Sequence, residues 1–349
     1  MVTMKDVGRE AGVSAMTVSN VLRGNDNVSP ATAQRVREAA DKLHYRLNTT
    51  SLSARSLRVN TSRKADRYGT IGLAIYELDR PYPSQLASLI SQAAEARGYQ
   101  TVVQETRINE RNERSIIQRM SNQFCDGLIF SSSRLTVQEI EQLSNHRPTV
   151  LLDDDRPQQD IDTILTPCKV GAYDAIRYLY GRGYRRIGII GGDSAEWESE
   201  TALLANHDVR HRRLLGCRRA FDELGVPRET VRLVDCEWNE TAAREAMHRN
   251  ETAVRECDAL FCMTDTIAFG TIRGLKDLGI GVPEDVAVMG FDGIAMGEIT
   301  VPSLTTVAVD IGEVARRAID LLIRRIVSEP GLARQRVIVG HRIERRESA

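Results

Sequence analysis

The sequence predicts a small all-α helix–turn–helix headpiece, a linker, and an α/β body of two lobes with parallel sheets and a cleft between them. Three observations predict it. Apolar residues at Met4, Val7, Ala11, Val13, Val18 and Leu22 have the spacing of two short helices that share one core. Residues 46–68 turn to Ser, Thr, Asn and Arg, the composition of a linker. From Tyr68 onward, short apolar runs alternate with amphipathic stretches, and the whole pattern runs through twice.

In the headpiece, Ala11-Gly12-Val13-Ser14 separates the two helices. Glycine permits the tight turn, and Ser14 is placed to cap the second helix, about 15–23. That helix lies on the outside of such a unit, where it can enter a DNA major groove. Gly24 to Asn27 reads as a turn. Ser29-Pro30 starts a third helix, with the serine as cap and the proline at the first helical position. Val36, Ala39, Ala40, Leu43 and Tyr45 form its inward stripe. Within the linker, Ser51 to Arg58 has the length of two helical turns, too short and too polar to be stable alone.

The body begins with an expected strand at 70–75, a helix at 83–98, a strand at 99–104 and a helix at 110–122. Strands at 127–130, 149–152 and 163–165 follow. The second round reads as helix 170–182, strand 186–191, helix 211–224, strand 231–234, helix 241–248, strand 259–262, helix 267–278 and strand 286–290. A last long helix covers 311–327, and 336–345 closes the chain as a strand pair or ribbon. The expected divisions are 1–46 for the headpiece, 47–68 for the linker, and 69–349 for the body. Its first lobe takes about 69–166 and 311–327, its second about 167–307 and 336–349. Ligands on parallel sheets bind beyond the carboxyl ends of the strands, so the polar residues just after each strand are the candidates.

Composition narrows the class. The chain has 349 residues, 42% of them hydrophobic and 27% charged, as in an ordinary soluble globular protein. No apolar N-terminal run resembles a signal peptide, and no apolar stretch approaches a membrane span. The cysteines at 125, 168, 217, 236, 257 and 262 form no C-x-x-C pair, and read as reduced core residues of a cytoplasmic protein. The net charge of −1 conceals an asymmetry: residues 1–67 carry twelve Lys and Arg against six Asp and Glu, leaving −7 on the other 282 residues. A basic head on an acidic body suits a head that meets phosphate.

These features together resemble the lactose-repressor/galactose-repressor family of bacterial transcription regulators over nearly the whole length. In the head the resemblance rests on Asp6-Val7, Ala11-Gly12-Val13-Ser14, Thr17-Val18-Ser19, Leu22, Val28-Ser29, Val36, Ala39-Ala40 and Leu43-x-Tyr45. In the body it rests on Asp126-Gly127-Leu128-Ile129, Gly183-Tyr184-Arg185-Arg186-Ile187, 282–288, Gly290-Phe291-Asp292 and 302–307. The resemblance implies lobes like those of periplasmic sugar-binding proteins, and a homodimer whose two heads read a near-palindromic operator. It implies a linker helix that folds on DNA and pushes a leucine into the central minor-groove step. That leucine is carried over to Leu57, with Leu52 as the alternative register. Leu47 replaces the family's usual proline, and the spacing from Asn48 to Arg55-Ser56-Leu57 is about one helical turn longer than usual.

Site residues follow. Ala15, Met16 and Asn20 occupy the exposed start and next turn of the second helix: Asn20 can pair with a base edge, and the other two can touch thymine methyls. Thr17, Ser19, Ser29 and Asn48 suit phosphate contacts. The resemblance places effector contacts on Pro83, Leu86, Arg107, Ser131 and Asp153 from the first lobe. From the second it places them on Arg213, Trp238, Thr264 and Asp292. A carboxylate facing a guanidinium can grip vicinal hydroxyls, and an indole can stack on a sugar's apolar face. Thr264 stands where many members have Asn. The segment from Asp193 to Arg210 is longer than the family norm; Trp197 and its carboxylates either narrow the cleft mouth or belong to a plain surface insertion.

Other signals point away from catalysis and metals. His207-x-x-x-His211 has metal-pair spacing without an evident third ligand. Asp153-Asp154-Asp155 reads as a charged loop, and 188–193 lacks the order of a dinucleotide loop. No nucleophile–base pair is placed for chemistry, and no cofactor or metal is expected. The resulting reading is a non-enzymatic, effector-responsive repressor. Two rivals are a solute-binding protein, opposed by the basic head and missing signal peptide, and a nucleotide-dependent enzyme, opposed by the missing phosphate loop. The tail, Glu344 to Ala349, carries no leucine heptad, so a dimer is expected without a tail-zippered tetramer.

Overall fold

The computed structural model describes residues 3–22, 28–43, 68–131, 134–157, 160–327 and 332–349. The chain divides into two units, Met1–Tyr68 and Gly69–Ala349. The expected turn after the second helix, Tyr45, Asn48, Leu52, Leu57 and the linker helix lie outside the described residues.

The head holds three helices, α1 (Met4–Ala11), α2 (Ala15–Leu22) and α3 (Pro30–Lys42). Val7, Ala11, Val18, Val21, Val36, Ala39 and Ala40 form its core, with Met4, Val13, Val28, Ala33 and Leu43 packed on it. Gly12 ends α1 at φ 68°, a left-handed conformation that only glycine adopts without cost. Ser14 Oγ then accepts from the Thr17 amide at 3.1 Å and caps α2. Ser29 does the same for Thr32 and α3, at 3.4 Å. An exposed ion pair, Lys42 to Glu10 at 2.6 Å, joins the last turn of α3 to α1.

The body begins with β1 (Thr70–Ile75), α4 (Pro81–Glu95), β2 (Gln100–Glu105), α5 (Glu110–Gln123), β3 (Gly127–Ser131), α6 (Val137–Leu143), β4 (Thr149–Leu152) and β5 (Asp162–Leu165). The second lobe follows with α7 (Cys168–Gly181), β6 (Ile187–Ile190), α8 (Ser194–Glu198), α9 (Glu200–Ala205), α10 (Val209–Leu224), β7 (Leu233–Val234), α11 (Glu240–Arg249), α12 (Glu251–Arg255) and β8 (Ala259–Cys262). It continues with α13 (Asp265–Asp277), β9 (Ala287–Asp292) and β10 (Thr305–Val309), after which α14 (Ile311–Val327), β11 (Arg336–Ile338) and β12 (His341–Glu344) end the chain.

Two six-stranded sheets result, ordered β11-β5-β4-β3-β1-β2 and β12-β10-β9-β8-β6-β7. Every pairing is parallel except β10 with β12. One element differs from expectation. Residues 336–345 are not one ribbon on the second lobe: β11 extends the first sheet beside β5, and β12 closes the second beside β10. A three-residue strand shows no preference for either edge in its own composition, so the sheet that offers an open edge decides. The chain therefore passes between lobes three times, after β5, after β10 and between β11 and β12.

In each sheet the order reverses once, between β1 and β3 in the first and between β6 and β8 in the second. Such switch points open a crevice beyond the strand ends. Helix α14 covers the first sheet with α4, while α7 packs on α10 and α11 on α13 in the second lobe. All six cysteines are free and buried. No helix among the described residues is long and apolar enough to cross a membrane.

Candidate effector cleft and recognition helix

On the head, α2 presents Met16, 73% exposed, with Ala15, Thr17, Ser19 and Asn20 half-buried around it. The Thr17 hydroxyl lies 2.9 Å from Ser14 Oγ, so it supports the cap as well as facing outward. Ser29 likewise engages the Thr32 hydroxyl at 2.9 Å.

In the body, the structure brings three of the expected effector residues, Arg213, Asp292 and Trp238, together. Arg213 on α10 donates from Nη2 to Asp292 Oδ1 at 2.8 Å and from Nη1 to the Met263 carbonyl. Its guanidinium stacks 3.7 Å from the centre of the Phe291 ring and 5.6 Å from that of Trp238. Arg213 and Asp292 are both buried. They face each other within the second lobe as an ion pair already formed.

Trp238 is anchored at both ends. Its Nε1 donates to the Gly191 carbonyl at 2.9 Å, and its own carbonyl accepts from Arg80 Nη1 of the first lobe. Gly191 needs φ 88°, and a Cβ there would come within 2.6 Å of Ile267 and 3.2 Å of the indole nitrogen. Asp153, just after β4, accepts at Oδ1 from the Thr166 amide at 2.7 Å, from the Thr166 hydroxyl at 2.6 Å, and from Arg212 Nη2 at 3.0 Å. Thr264 caps α13 through its hydroxyl, 3.1 Å from the Ile267 amide, and this is how it differs from a freely presented amide. Ser131 ends β3 in a buried position, and Pro83 and Leu86 are buried on α4, Leu86 within the apolar core.

Arg107 departs from the group. It pairs with Glu105 at 3.2 Å with a side chain 75% exposed, away from the buried cluster. Trp197 also departs, since it is 2% exposed and set edge-on against Phe221 at 6.1 Å, in the core of the second lobe. It does not narrow the cleft mouth; the apolar face of α10 takes it inward. His211 is held by Asp208 at 2.6 Å and Glu196 at 3.0 Å.

Among the described residues, six that are not glycine have left-handed φ, and Asp153 and Asp292 of this cluster are two of them. Arg107, Asp153 and Asp292 adopt φ of 54°, 58° and 124°. For non-glycine residues such values cost on the order of 1–3 kcal/mol each and collect at functional sites. Behind Asp292, the fully buried Asp265 accepts at Oδ2 from the Gly293 and Ile294 amides at 2.8 Å, and at Oδ1 from the Thr306 hydroxyl at 2.5 Å. Burial pushes the Asp292 carboxyl up to about 7, outweighing the pull of Arg213. It pushes Asp265 up to about 6 against its three hydrogen bonds. Burial opposes the charge on Arg213, but Asp292 and its other neighbours more than offset that and hold it protonated.

Several cleft residues escaped the reading of the sequence. Tyr76 follows β1 directly, and burial with Asp292 and Asp153 nearby raises its phenol. Tyr82 has a buried hydroxyl without a hydrogen-bond partner among the described residues. Arg212 and Arg80 both bridge the lobes. Tyr76 was within reach of the rule that polar residues after strands line the crevice; the others emerge only from packing.

A three-helix DNA-binding head and a two-lobed body with polar side chains converging at the switch points define a transcription regulator. Residues 3–48 match the bacterial regulatory proteins of the lacI family, and residues 176–349 match a periplasmic binding protein-like domain. The chain is 29% identical over 352 residues to catabolite control protein A of Priestia megaterium, which covers 99% of both chains. It is 30% identical to the HTH-type transcriptional repressor PurR of Erwinia tasmaniensis, over 100% of this chain and 97% of that one. The fold matches that of the transcriptional regulator CelR in its complex with cellobiose, with a TM-score of 0.69, 25% identity and full coverage of both chains. The chain belongs to the lacI family of bacterial regulatory proteins, transcription regulators among which is the HTH-type repressor PurR.

Proposed function

We propose that this regulator binds a near-palindromic operator as a homodimer, and that a small polar effector, a sugar or sugar derivative, controls its affinity from the interlobe cleft. The observation that carries the effector reading is the buried Arg213–Asp292 pair beside the indole of Trp238. Charged hydrogen-bonding groups beside an aromatic face suit a ring with hydroxyls on its edge and carbon on its face. Tyr82 adds a buried hydroxyl without a hydrogen-bond partner among the described residues. The fold relative CelR was captured with cellobiose, which supports the same ligand class. The contacts assigned are Pro83, Leu86, Ser131, Asp153, Arg213, Trp238, Thr264 and Asp292, with Arg107 at the rim.

On the DNA side, Ala15, Met16 and Asn20 read bases, and Thr17, Ser19, Ser29 and Asn48 hold phosphates. Leu57, or Leu52 in the other register, enters the minor groove. The homodimer is supported by Met296, Ile299 and Val301, apolar residues 49%, 80% and 92% exposed along one short stretch of the second lobe. The protein works in the bacterial cytoplasm and needs no cofactor. Lobe closure around the effector shifts the dimer between two global states that differ in operator affinity.

A thermal-shift screen of the full chain against sugars, sugar phosphates and nucleosides tests this reading. An effector at a hundred times its dissociation constant adds about 2.7 kcal/mol of stability. A sugar hit that also alters operator binding is the expected result. A nucleoside hit alone, or a sugar that stabilises without touching DNA affinity, would overturn it.

A further inference from the structure

A cavity of about 220 Å³ opens between the loop after β4 and the loop after α9. Asp153, Asp154 and Arg156 line it from the first lobe, and Asn206, His207 and Asp208 from the second. The second-lobe wall belongs to the long segment 193–210. The cavity shares Asp153 with the cleft described above and so adjoins that site.

Each carboxylate on its walls already has a hydrogen-bond partner. Asp153 is paired with Arg212 at 3.0 Å, and Asp154 takes Arg156 Nε at 2.8 Å. Asp208 accepts at Oδ1 from His211 Nδ1 at 2.6 Å. What faces the cavity is a mixture of donors and acceptors on carboxylate, amide, imidazole and guanidinium groups, which is the chemistry that reads hydroxyls. Whole small-molecule sites occupy roughly 300–1,000 Å³, so this volume suits one ring of a larger ligand.

We infer that the cavity is a subsite for a second sugar ring, and that the effector is a disaccharide or larger glycoside whose first ring lies against Trp238 and Asp292. The inference rests on the sugar reading of the cleft. A ligand that fills both places touches both lobes twice, at the deep pair and at the mouth, so the second ring adds to closure as well as to affinity.

The test is calorimetric titration of the full-length protein with glucose, galactose and xylose against cellobiose, maltose, lactose and xylobiose. At least one disaccharide should bind about tenfold or more tightly than its own monosaccharide. Ala205→Trp fills the mouth from an exposed helix end, and His207→Ala removes one wall. Each should erase that advantage and leave monosaccharide binding unchanged. Equal binding of monosaccharide and disaccharide, or an advantage that survives both substitutions, overturns the subsite and leaves the sugar reading intact. Silence from every sugar overturns the sugar reading, and the subsite with it.

Discussion

Arg212 of the second lobe reaches across the cleft to Asp153 of the first, Nη2 to Oδ1 at 3.0 Å, while its neighbour Arg213 holds Asp292 within its own lobe. Two adjacent arginines on α10 thus face different partners. One ties the lobes to each other, and the other shapes the floor of the cleft. Arg80 adds a second tie, to the Trp238 carbonyl.

Removing one partner of a mostly buried pair leaves a charge without compensation, at about 3 kcal/mol or more. Arg212→Met should therefore destabilise the body by about that amount in urea unfolding. Asp153→Asn keeps the bonds from Thr166 and tolerates φ 58°, so the double variant should recover most of the loss. A coupling energy below about 0.5 kcal/mol in this cycle would show that the pair does not latch the lobes.

Asp265 holds the turn that strains Asp292. In Asp265→Ala the Gly293 and Ile294 amides and the Thr306 hydroxyl lose a buried acceptor, at about 1–3 kcal/mol each. Asp265→Asn can accept both amides with its oxygen and donate its NH2 to Thr306. The alanine variant should lose several kcal/mol by chemical denaturation, and the asparagine variant about 1 kcal/mol or less. Equal losses would refute the hydrogen-bonding account.

Asp292 makes the body's stability depend on pH in an unusual direction. Its folded-state value, about 7, lies above the ordinary 3.8. Between these limits the folded state binds the proton that the unfolded state has released, so unfolding free energy falls as pH rises. The slope approaches 1.4 kcal/mol per pH unit for one group, and it ends above pH 7. Asp265 acts the same way up to about pH 6. Asp292→Asn should remove its share, so the stability of the variant relative to the parent should rise from pH 5 to pH 7. A pH-independent difference between the two proteins would contradict this.

How much of this was legible beforehand depended on the range of the interaction. The head was readable because Val7, Ala11, Val18 and Gly12 act within a few residues of one another. Asp292 was readable because it ends a recognisable strand, and Arg213 because it carries the family pattern. Arg212 was not, because two neighbouring arginines look alike until packing turns one to each lobe. The two tryptophans illustrate the same limit. Both stand among polar residues, yet Phe221 draws Trp197 into the core, while the Gly191 carbonyl fixes Trp238 at the cleft. Membership of β11 in the first sheet was likewise a tertiary decision.

The recognition helix offers a test that does not involve the body. Met16 is the most exposed large apolar residue among the described residues of the head, and Asn20 lies one turn further along the same helix. If they read base edges, Asn20→Ala and Met16→Ala should each cost about 1–3 kcal/mol on the preferred operator. They should cost little on unrelated DNA, where phosphate contacts dominate. The dependence of log affinity on log salt should stay unchanged, because neither side chain neutralises a phosphate. Selection of operator sequences with purified protein, followed by titration of the winners at two salt concentrations, measures all three quantities. A uniform loss across all sequences would assign these residues to the folding of the head and not to reading. Restored affinity of Asn20→Ala on an operator changed at a single symmetric base pair would identify the base that Asn20 contacts.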